Sequence, residues 1–181
     1  KRFHLVKEWK VKIAIDGRSF EVSGKETVLE AAKANGIDIP ALCHHPRLAP
    51  WAACRLCVVE IKGRNGYPPS CNTYPEEGME VVTDSEALRS QRRRTLELIL
   101  SEHPNACLVC TEKEKCDDHK ASIRKSAEVA GCVFCPSNRR CELQKLVDRL
   151  GVDSVPYDSV YRGLPVRRSD PPPHRPAAPR G

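Results

Sequence analysis

The sequence lacks the features that mark most membrane proteins and most enzymes. No apolar run among its 181 residues approaches the length of a membrane span, and no secretory signal is visible. There is no glycine-rich phosphate loop, no nucleotide-binding fingerprint and no Ser/His/Asp set. Aromatic residues make up only 5% of the chain, which argues against a nucleic-acid-binding module. These absences leave no recognisable substrate site and no membrane span within these residues.

Cysteine, in contrast, is abundant, with ten residues in three spaced sets. The sets are Cys43, Cys54, Cys57 and Cys71; Cys107, Cys110 and Cys116; and Cys132, Cys135 and Cys141. Each set contains a Cys-x2-Cys step, which places two thiolates close enough to bind one metal centre. Without a secretory signal we expect a reducing, cytoplasmic location, where paired cysteines act as ligands rather than as disulfides. The spacing therefore predicts a protein that carries metal ions or clusters.

The formal net charge of +6 comes partly from two groups of arginines. One group is Arg89, Arg92, Arg93 and Arg94, and the other is Arg167, Arg168, Arg175 and Arg180. Basic clusters can bind nucleic acid or acidic partners. The simpler interpretation, which we adopt, is that the first group forms a solvated helix face and the second belongs to an extended tail.

The first half of the chain predicts a β-grasp sheet packed on one helix, and hence an α+β fold. Residues 10–23 alternate polar and apolar around Asp16-Gly17, which predicts a hairpin. A helix is predicted from Thr27 to Asn35, and strands are predicted at 57–61 and 79–82. The predicted buried face of the helix consists of Val28, Leu29, Ala31, Ala32 and Ala34.

The second half predicts a small helical unit around the remaining cysteines. An amphipathic helix is predicted over 85–101, a short helix near 121–129, and a last helix over 142–150 that ends at Gly151.

Proline and arginine dominate the end of the chain, so 169–181 is predicted to be extended. The predicted domains are therefore 1–84, then 85–165 with an inserted metal site at about 111–140, and a tail at 166–181.

The first four cysteines follow the spacing Cys43-x10-Cys54-x2-Cys57-x13-Cys71. Four thiolates on loops at the edge of a small sheet suit a [2Fe–2S] cluster. The first interval is longer than in plant-type ferredoxins, so that class is not the nearest match. Four cysteines can also bind one zinc ion tetrahedrally, and the spacing alone leaves zinc open.

Two segments around these cysteines carry a more specific resemblance. They read Ile-Pro-Ala-Leu-Cys-His over 39–44 and Ala-Cys-Arg-Leu-Cys-Val-Val-Glu over 53–60. Over about residues 10–165 the chain resembles the large iron–sulfur subunit of respiratory complex I and the related subunits of NAD-linked hydrogenases and formate dehydrogenases. The resemblance implies a β-grasp [2Fe–2S] domain with Cys43, Cys54, Cys57 and Cys71 as ligands. His44 and His45 are then loop histidines, because four thiolates already complete the site.

In that family the next motif is His-Pro-x-x-Cys-x2-Cys-x5-Cys-Glu-Leu-Gln, which binds a [4Fe–4S] cluster through one His and three Cys. This chain contains the motif in two pieces. Residues 103–110 match its first half, and Cys141-Glu142-Leu143-Gln144 match its ending. The sequence between them contains Cys116, His119, Cys132 and Cys135.

Two assignments of these ligands follow from the resemblance. In the first, His103, Cys107, Cys110 and Cys141 hold the [4Fe–4S] cluster, and Cys116, His119, Cys132 and Cys135 form a zinc site. In the second, Cys116 replaces Cys141, and Cys132, Cys135 and Cys141 hold a second [4Fe–4S] cluster whose fourth ligand is His119, Glu128 or a partner group. We favour the first, because it keeps the Cys-Glu-Leu-Gln ending with the cluster and leaves no site short of a ligand.

The resemblance implies electron transfer as the function. Clusters with four protein ligands lack an open position for substrate, so one-electron transfer between clusters remains. The implied partners are a flavin-bearing NADH-oxidising subunit, a small thioredoxin-like [2Fe–2S] subunit, and a hydrogenase- or formate-dehydrogenase-type subunit. The alternative is a zinc-stabilised interaction or nucleic-acid-binding module that uses the arginines at 89–94 to bind phosphates.

Overall fold

The structure is a computed structural model that describes residues 9–103, 108–110, 124–125, 133–134, 137 and 140–158. Two hydrophobic cores organise this part of the chain. The first lies between a four-stranded sheet and a helix, and the second lies between two further helices. None of the helices described is both long and apolar enough to cross a membrane.

The sheet contains the predicted hairpin and two later strands. β1 (Lys10–Ile15) pairs antiparallel with β2 (Arg18–Ser23) across the turn at Asp16-Gly17. β3 (Glu60–Ile61) pairs antiparallel with β4 (Glu80–Val82), and β4 pairs in parallel with β1. The strand order is therefore β2-β1-β4-β3, which is the mixed sheet that the predicted β-grasp order of elements requires. Alternate residues of β1 enter the first core.

The helix α1 (Val28–Ala34) begins with a capping box. Thr27 Oγ1 accepts a hydrogen bond from the Glu30 backbone N–H at 3.3 Å, and Glu30 Oε2 accepts one from the Thr27 N–H at 2.8 Å. These bonds satisfy two donors that have no partner within the helix. Four of the five residues predicted to face inward are buried, but Ala34 is exposed. At about 100° per residue, Ala34 lies on the side of the helix opposite the other four.

The second core lies between α2 (Glu86–Ser101) and α3 (Glu142–Leu150), both close to their predicted bounds. Its buried members are Leu56, Leu96, Leu100, Leu108, Leu146, Val147, Leu150 and Val152. Arg93 Nε donates to the Leu150 carbonyl at 3.0 Å, and so connects the two helices. Leu56 belongs to the second core although the next residue, Cys57, belongs to the first. The chain therefore passes from one core to the other between Leu56 and Cys57.

The strand predicted over 57–61 is shorter than expected. Only Glu60–Ile61 forms a strand, and Val58 makes a single antiparallel bridge with Pro69. The carbonyls of Leu56 and Val58 accept from an arginine side chain. The backbone bonds of this stretch go to residues 68–70: the Val59 N–H donates to the Pro68 carbonyl at 3.0 Å, and the Ser70 N–H donates to the Cys57 carbonyl at 2.9 Å.

The prediction of a short helix near 121–129 is wrong for residues 124–125, the part of that segment that the structure describes. Arg124–Lys125 is a strand, β5, which pairs in parallel with β6 (Val133–Phe134). The pairing joins residues from two separate segments, and the pattern of residues within one segment does not predict such a pairing. The rest of 121–129, and the tail predicted at 169–181, lie outside the described residues.

Candidate metal centre

Three loops next to the first core carry the first four cysteines. Cys43 follows α1, Cys54 and Cys57 precede β3, and Cys71 lies in a single 3₁₀ turn at Ser70–Asn72. Cys57 and Cys71 are each 1% exposed, Cys54 is half-buried, and Cys43 is exposed. All four are free thiols. The set therefore spans from the protein interior to its surface.

The loop that carries Cys54 has an unusual backbone. Ala52 and Arg55 both adopt φ of 54°, in the left-handed region that residues with a side chain rarely occupy. The Cys54 N–H, between them, donates to Cys43 Sγ at 3.4 Å. Successive N–H groups that turn inward in this way form anion-binding concavities, which recur at iron–sulfur sites. The loop is therefore wound so that backbone donors point toward sulfur.

These donors favour the thiolate form of Cys54. Burial is the largest single influence and raises the pKa of the Cys54 thiol, but the hydrogen bonds that it receives together outweigh burial and lower the pKa. The backbone donors belong to Leu56, Cys43 and Leu42. Because the thiolate is the form that binds metal, this half-buried cysteine is prepared to act as a ligand.

Cys71 lies close enough to the other three thiols to be affected by them. Burial is the main cause that raises its pKa to about 12, followed by a hydrogen bond with Cys57 and by the negative charges of the other three cysteines. Like charges at short range disfavour ionisation. A cationic metal centre removes that repulsion, and its binding releases the thiol protons. The donor set therefore fits a metal cluster.

The number and kind of these donors fit a [2Fe–2S] cluster. In a [2Fe–2S] cluster each iron takes two thiolates, so the four sulfur ligands surround two metals rather than one point. Cys43, Cys54, Cys57 and Cys71 would hold this cluster.

Ser70 ties two of the ligand loops together. Its backbone N–H and its hydroxyl both donate to the Cys57 carbonyl, at 2.9 and 2.7 Å. Ser70 is fully buried and immediately precedes Cys71. The backbone of one buried cysteine is thereby held against the neighbour of the other. The sequence analysis did not single out Ser70, and only its position beside a ligand could have drawn attention to it.

The two histidines beside Cys43 have protein partners. His44 Nε2 lies 3.8 Å from Glu30 Oε1 of α1, and His45 Nδ1 accepts from the Arg47 backbone N–H at 3.2 Å. Hydrogen bonds from Thr27 are the main cause that lowers the pKa of Glu30, and His44 adds to this. His44 therefore connects the ligand loop to the start of α1.

The second group of predicted ligands is described only in part. His103 follows α2 and is exposed, and Cys110 is half-buried. Cys141 is half-buried at the N-terminus of α3 and packs on the second core together with Val109. Cys141 and Val109, the residue before Cys110, therefore pack on the same core. The predicted ligands that lie outside the described residues are Cys107, Cys116, His119, Cys132 and Cys135.

Arg92 lies near the site and is buried, although the sequence predicts it to be exposed. The sequence predicts a solvated arginine face on α2, but Arg92 is 3% exposed. A signal was present: Leu88, Arg92, Leu96 and Leu100 recur every four residues, and all four are buried. Two neighbours are also engaged, since Arg89 pairs with Asp84 and Arg93 bonds to α3.

Two family models match consecutive parts of the chain. Residues 8–86 match the 2Fe-2S iron-sulfur cluster binding domain, and residues 92–121 match the NADH-ubiquinone oxidoreductase-G iron-sulfur binding region. The first range contains all four cysteines of the described site. The second contains His103, Cys107, Cys110 and Cys116 but ends before Cys141.

The relatives with similar sequences are much longer than this chain. NADP-reducing hydrogenase subunit HndD of Solidesulfovibrio fructosivorans is 40% identical over 151 residues, which are 81% of this chain and 22% of that protein. The mitochondrial NADH-ubiquinone oxidoreductase 78 kDa subunit of Candida albicans is 32% identical over 118 residues, or 65% of this chain and 16% of that protein. A crystal structure of NAD+-reducing [NiFe]-hydrogenase in the H2-reduced state superposes with a TM-score of 0.64 at 31% identity, and covers 83% of this chain and 53% of that one.

We predict that glycine at position 52 stabilises the ligand loop. Ala52→Gly removes the cost of a side chain in the left-handed region, about 1 kcal/mol, and raises the thermal unfolding midpoint of the cluster-loaded protein by about 2–4 °C. Ala53→Gly is the matched control, because Ala53 has an ordinary backbone conformation, and should lower the midpoint. Equal losses for both variants in calorimetry would contradict the prediction.

The sheet order, the four-thiol site and the two matched regions agree with one another. The chain carries a [2Fe–2S] cluster-binding domain followed by a [4Fe–4S]-binding region, and it resembles the amino-terminal part of the large iron–sulfur subunit of respiratory complex I and of related NAD-linked hydrogenases.

Proposed function

We propose that this chain is an electron-transfer subunit of a multi-subunit NAD(P)H-linked oxidoreductase. The observation that carries the proposal is the four-thiol site, in which two cysteines are buried and one reaches the surface. A [2Fe–2S] cluster there supplies one-electron redox chemistry. All four ligands come from the protein, so no metal position is left for a substrate. The chain holds the cluster, tunes it through backbone N–H donors, and exposes one edge for exchange.

The partners that we propose are a flavin-bearing NAD(P)H-oxidising subunit, a small thioredoxin-like [2Fe–2S] subunit, and a hydrogenase- or formate-dehydrogenase-type catalytic subunit. The names of the relatives support a place in such a complex, since one is a subunit of an NADP-reducing hydrogenase and another is a subunit of an NADH-ubiquinone oxidoreductase.

The exposed edge of the cluster loop has the character of a docking surface, which we assign to the flavin-bearing subunit. Trp51 is 83% exposed and Leu48 is 70% exposed, on the same loop as the exposed Cys43. Arg47 and Arg55 are also exposed there, and among residues 40–59 there is no Asp or Glu. An apolar centre with basic neighbours fits a partner surface that has an apolar patch and acidic residues around it.

For the second cluster we propose His103, Cys107, Cys110 and Cys141 as ligands. Support comes from Cys141, which packs on the core that also contacts Val109 beside Cys110. The remaining Cys116, His119, Cys132 and Cys135 would then form a zinc site. The competing set replaces Cys141 with Cys116 and places a second [4Fe–4S] cluster on Cys132, Cys135 and Cys141. Its support is the family match, which includes Cys116 and ends at residue 121.

The alternative function, a zinc-stabilised interaction or nucleic-acid-binding module, has less support. It needs a group of free arginines at 89–94 to contact phosphates. Arg92 is buried against backbone carbonyls, Arg89 pairs with Asp84, and Arg93 donates to Leu150. Three of these four arginines are thus already engaged within the protein.

Metal analysis of anaerobically purified protein tests the proposed function. We expect a coloured protein with broad absorbance near roughly 420 nm and about six irons per chain, from one [2Fe–2S] and one [4Fe–4S] cluster, together with about one zinc. About ten irons and no zinc would support the second ligand set. A colourless protein that contains only zinc would overturn the electron-transfer proposal.

The fourth ligand of the [4Fe–4S] cluster can be identified with a matched pair of variants. With the first ligand set, Cys141→Ser loses the [4Fe–4S] signal in EPR of the reduced protein, whereas Cys116→Ser keeps that signal and loses bound zinc. The [2Fe–2S] signal should persist in both variants and serves as the internal control. With the competing set neither variant contains zinc, and each loses a different [4Fe–4S] cluster: Cys116→Ser the one bound by His103, and Cys141→Ser the other.

The docking surface is tested by truncating its apolar centre. Trp51→Ala combined with Leu48→Ala should weaken binding of the flavin-bearing subunit by about 2 kcal/mol, roughly thirtyfold in Kd, because exposed aromatic anchors carry much of the energy of an interface. The measurements are flavin that co-purifies with the tagged chain and NAD(P)H-dependent reduction of its clusters. Leu98→Ala, at an exposed leucine on α2, is the matched control. Equal flavin retention in all variants would place the partner elsewhere.

A further inference from the structure

We propose that Arg92 is a buried cation that raises the reduction potential of the [2Fe–2S] cluster and holds the backbone on both sides of its ligand Cys57. The inference rests on the proposed function, in which Cys57 is a cluster ligand. It adds a role for a residue that is neither a ligand nor part of the β-grasp domain.

Arg92 reaches from α2 to the backbone around Cys57. Its Nε donates to the Leu56 carbonyl at 3.1 Å, and its Nη2 donates to the Val58 carbonyl at 2.6 Å and to the Thr83 carbonyl at 2.8 Å. The side chain is 3% exposed. One guanidinium thus joins the helix to both neighbours of a proposed ligand and to the residue that follows β4.

The Cys57 carbonyl, which lies between those of Leu56 and Val58, has a different partner. It accepts from the backbone N–H and the hydroxyl of the buried Ser70. Three consecutive carbonyls are therefore held from two sides, by Arg92 and by Ser70. This arrangement fixes the position of the Cys57 backbone, because moving it would leave buried donors and acceptors without partners.

Arg92 brings a positive charge without a paired carboxylate. Its three hydrogen bonds all go to carbonyl groups, and among the described residues its side chain forms no ion pair. Burial is the main cause that lowers the pKa of Arg92, but a guanidinium stays protonated in proteins. The charged or titratable groups near enough to affect it are Asp84, Arg149, Cys57 and Asp16.

The charge acts on the cluster through a poorly screened interior. The buried guanidinium donates to the carbonyls of both residues that flank Cys57, so its charge lies next to the backbone of a proposed ligand. Reduction adds one negative charge to the cluster, and a nearby cation stabilises the reduced form more than the oxidised form. Water screens an exposed charge much more strongly, so burial is what makes this arginine effective. Removing the charge should therefore lower the reduction potential.

The test is an EPR-monitored redox titration of the full, cluster-loaded chain. Arg92→Gln should lower the equilibrium constant for reduction of the [2Fe–2S] cluster about tenfold, which is about 59 mV for a one-electron couple. The matched control is Arg89→Gln, one turn earlier on the same helix, where the arginine is exposed and paired with Asp84. In that variant the equilibrium constant for cluster reduction should stay within about twofold of that in the unsubstituted protein.

Arg92→Lys keeps the proposal testable if Arg92→Gln fails to fold. A lysine keeps the charge near neutral pH, so the equilibrium constant for reduction of the cluster should stay within about twofold of that in the unsubstituted protein. The loss of the guanidinium fork should still lower the thermal unfolding midpoint. Burial lowers the pKa of a lysine, so between about pH 7 and 10.5 the potential of this variant should fall as the amine loses its proton. The unsubstituted protein should not show this additional fall.

The outcomes separate the inference from the proposed function. A folded Arg92→Gln variant would overturn the inference if its equilibrium constant for cluster reduction stayed within twofold of that of the unsubstituted protein. An Arg92→Lys variant would do the same if its reduction potential changed with pH as that of the unsubstituted protein does. A chain that never shows a [2Fe–2S] signal would instead overturn the proposed function. If both Arg92 variants lose only thermal stability, Arg92 holds the backbone and has no effect on the potential, and the electrostatic part is wrong.

Discussion

The burial of cysteine thiols beside one another is the constraint on which the cluster site depends, since Cys57 and Cys71 are buried, Cys54 is half-buried and only Cys43 of this set is exposed. Burial, a hydrogen bond with Cys57 and neighbouring negative charge raise the pKa of Cys71 to about 12. Around Cys54, in a loop with left-handed residues at Ala52 and Arg55, backbone N–H donors act in the opposite direction and lower the pKa of the thiol. Binding of the proposed cluster would keep the four cysteines as thiolates by replacing their protons with metal.

A second feature is the way in which the two hydrophobic cores share one short stretch of chain. Leu56 packs in the core of α2 and α3, while Cys57 packs in the core of the sheet. Arg92 spans the same junction through the carbonyls of Leu56 and Val58. The cluster loop is therefore held by both units at once. This fixes the position of α2, part of which lies in the matched iron–sulfur binding region, relative to Cys57, a proposed ligand of the first cluster.

The sequence predicted the β-grasp elements well because each has a strong local signal. The Asp16-Gly17 turn, the helix that begins after Thr27 and the left-handed Gly151 all appear where they were expected. Predictions were wrong where distant contacts compete with local pattern. The strand predicted over 57–61 forms only at Glu60–Ile61, and a segment predicted as helix contains a strand that pairs with residues 133–134.

Cysteine spacing and turn chemistry by themselves determined that the chain carries metal centres beside a β-grasp order of elements, because ligand type and interval are local properties of the sequence, and the family resemblance indicated iron–sulfur clusters. Only the tertiary structure decided which thiol is exposed, that Ser70 bonds to the Cys57 carbonyl, and that Arg92 is buried. Each of these depends on residues that lie apart in the chain, such as Leu56 and Arg92, which are 36 positions apart. Folding brings such residues together, and the spacing of residues along the chain does not predict these contacts.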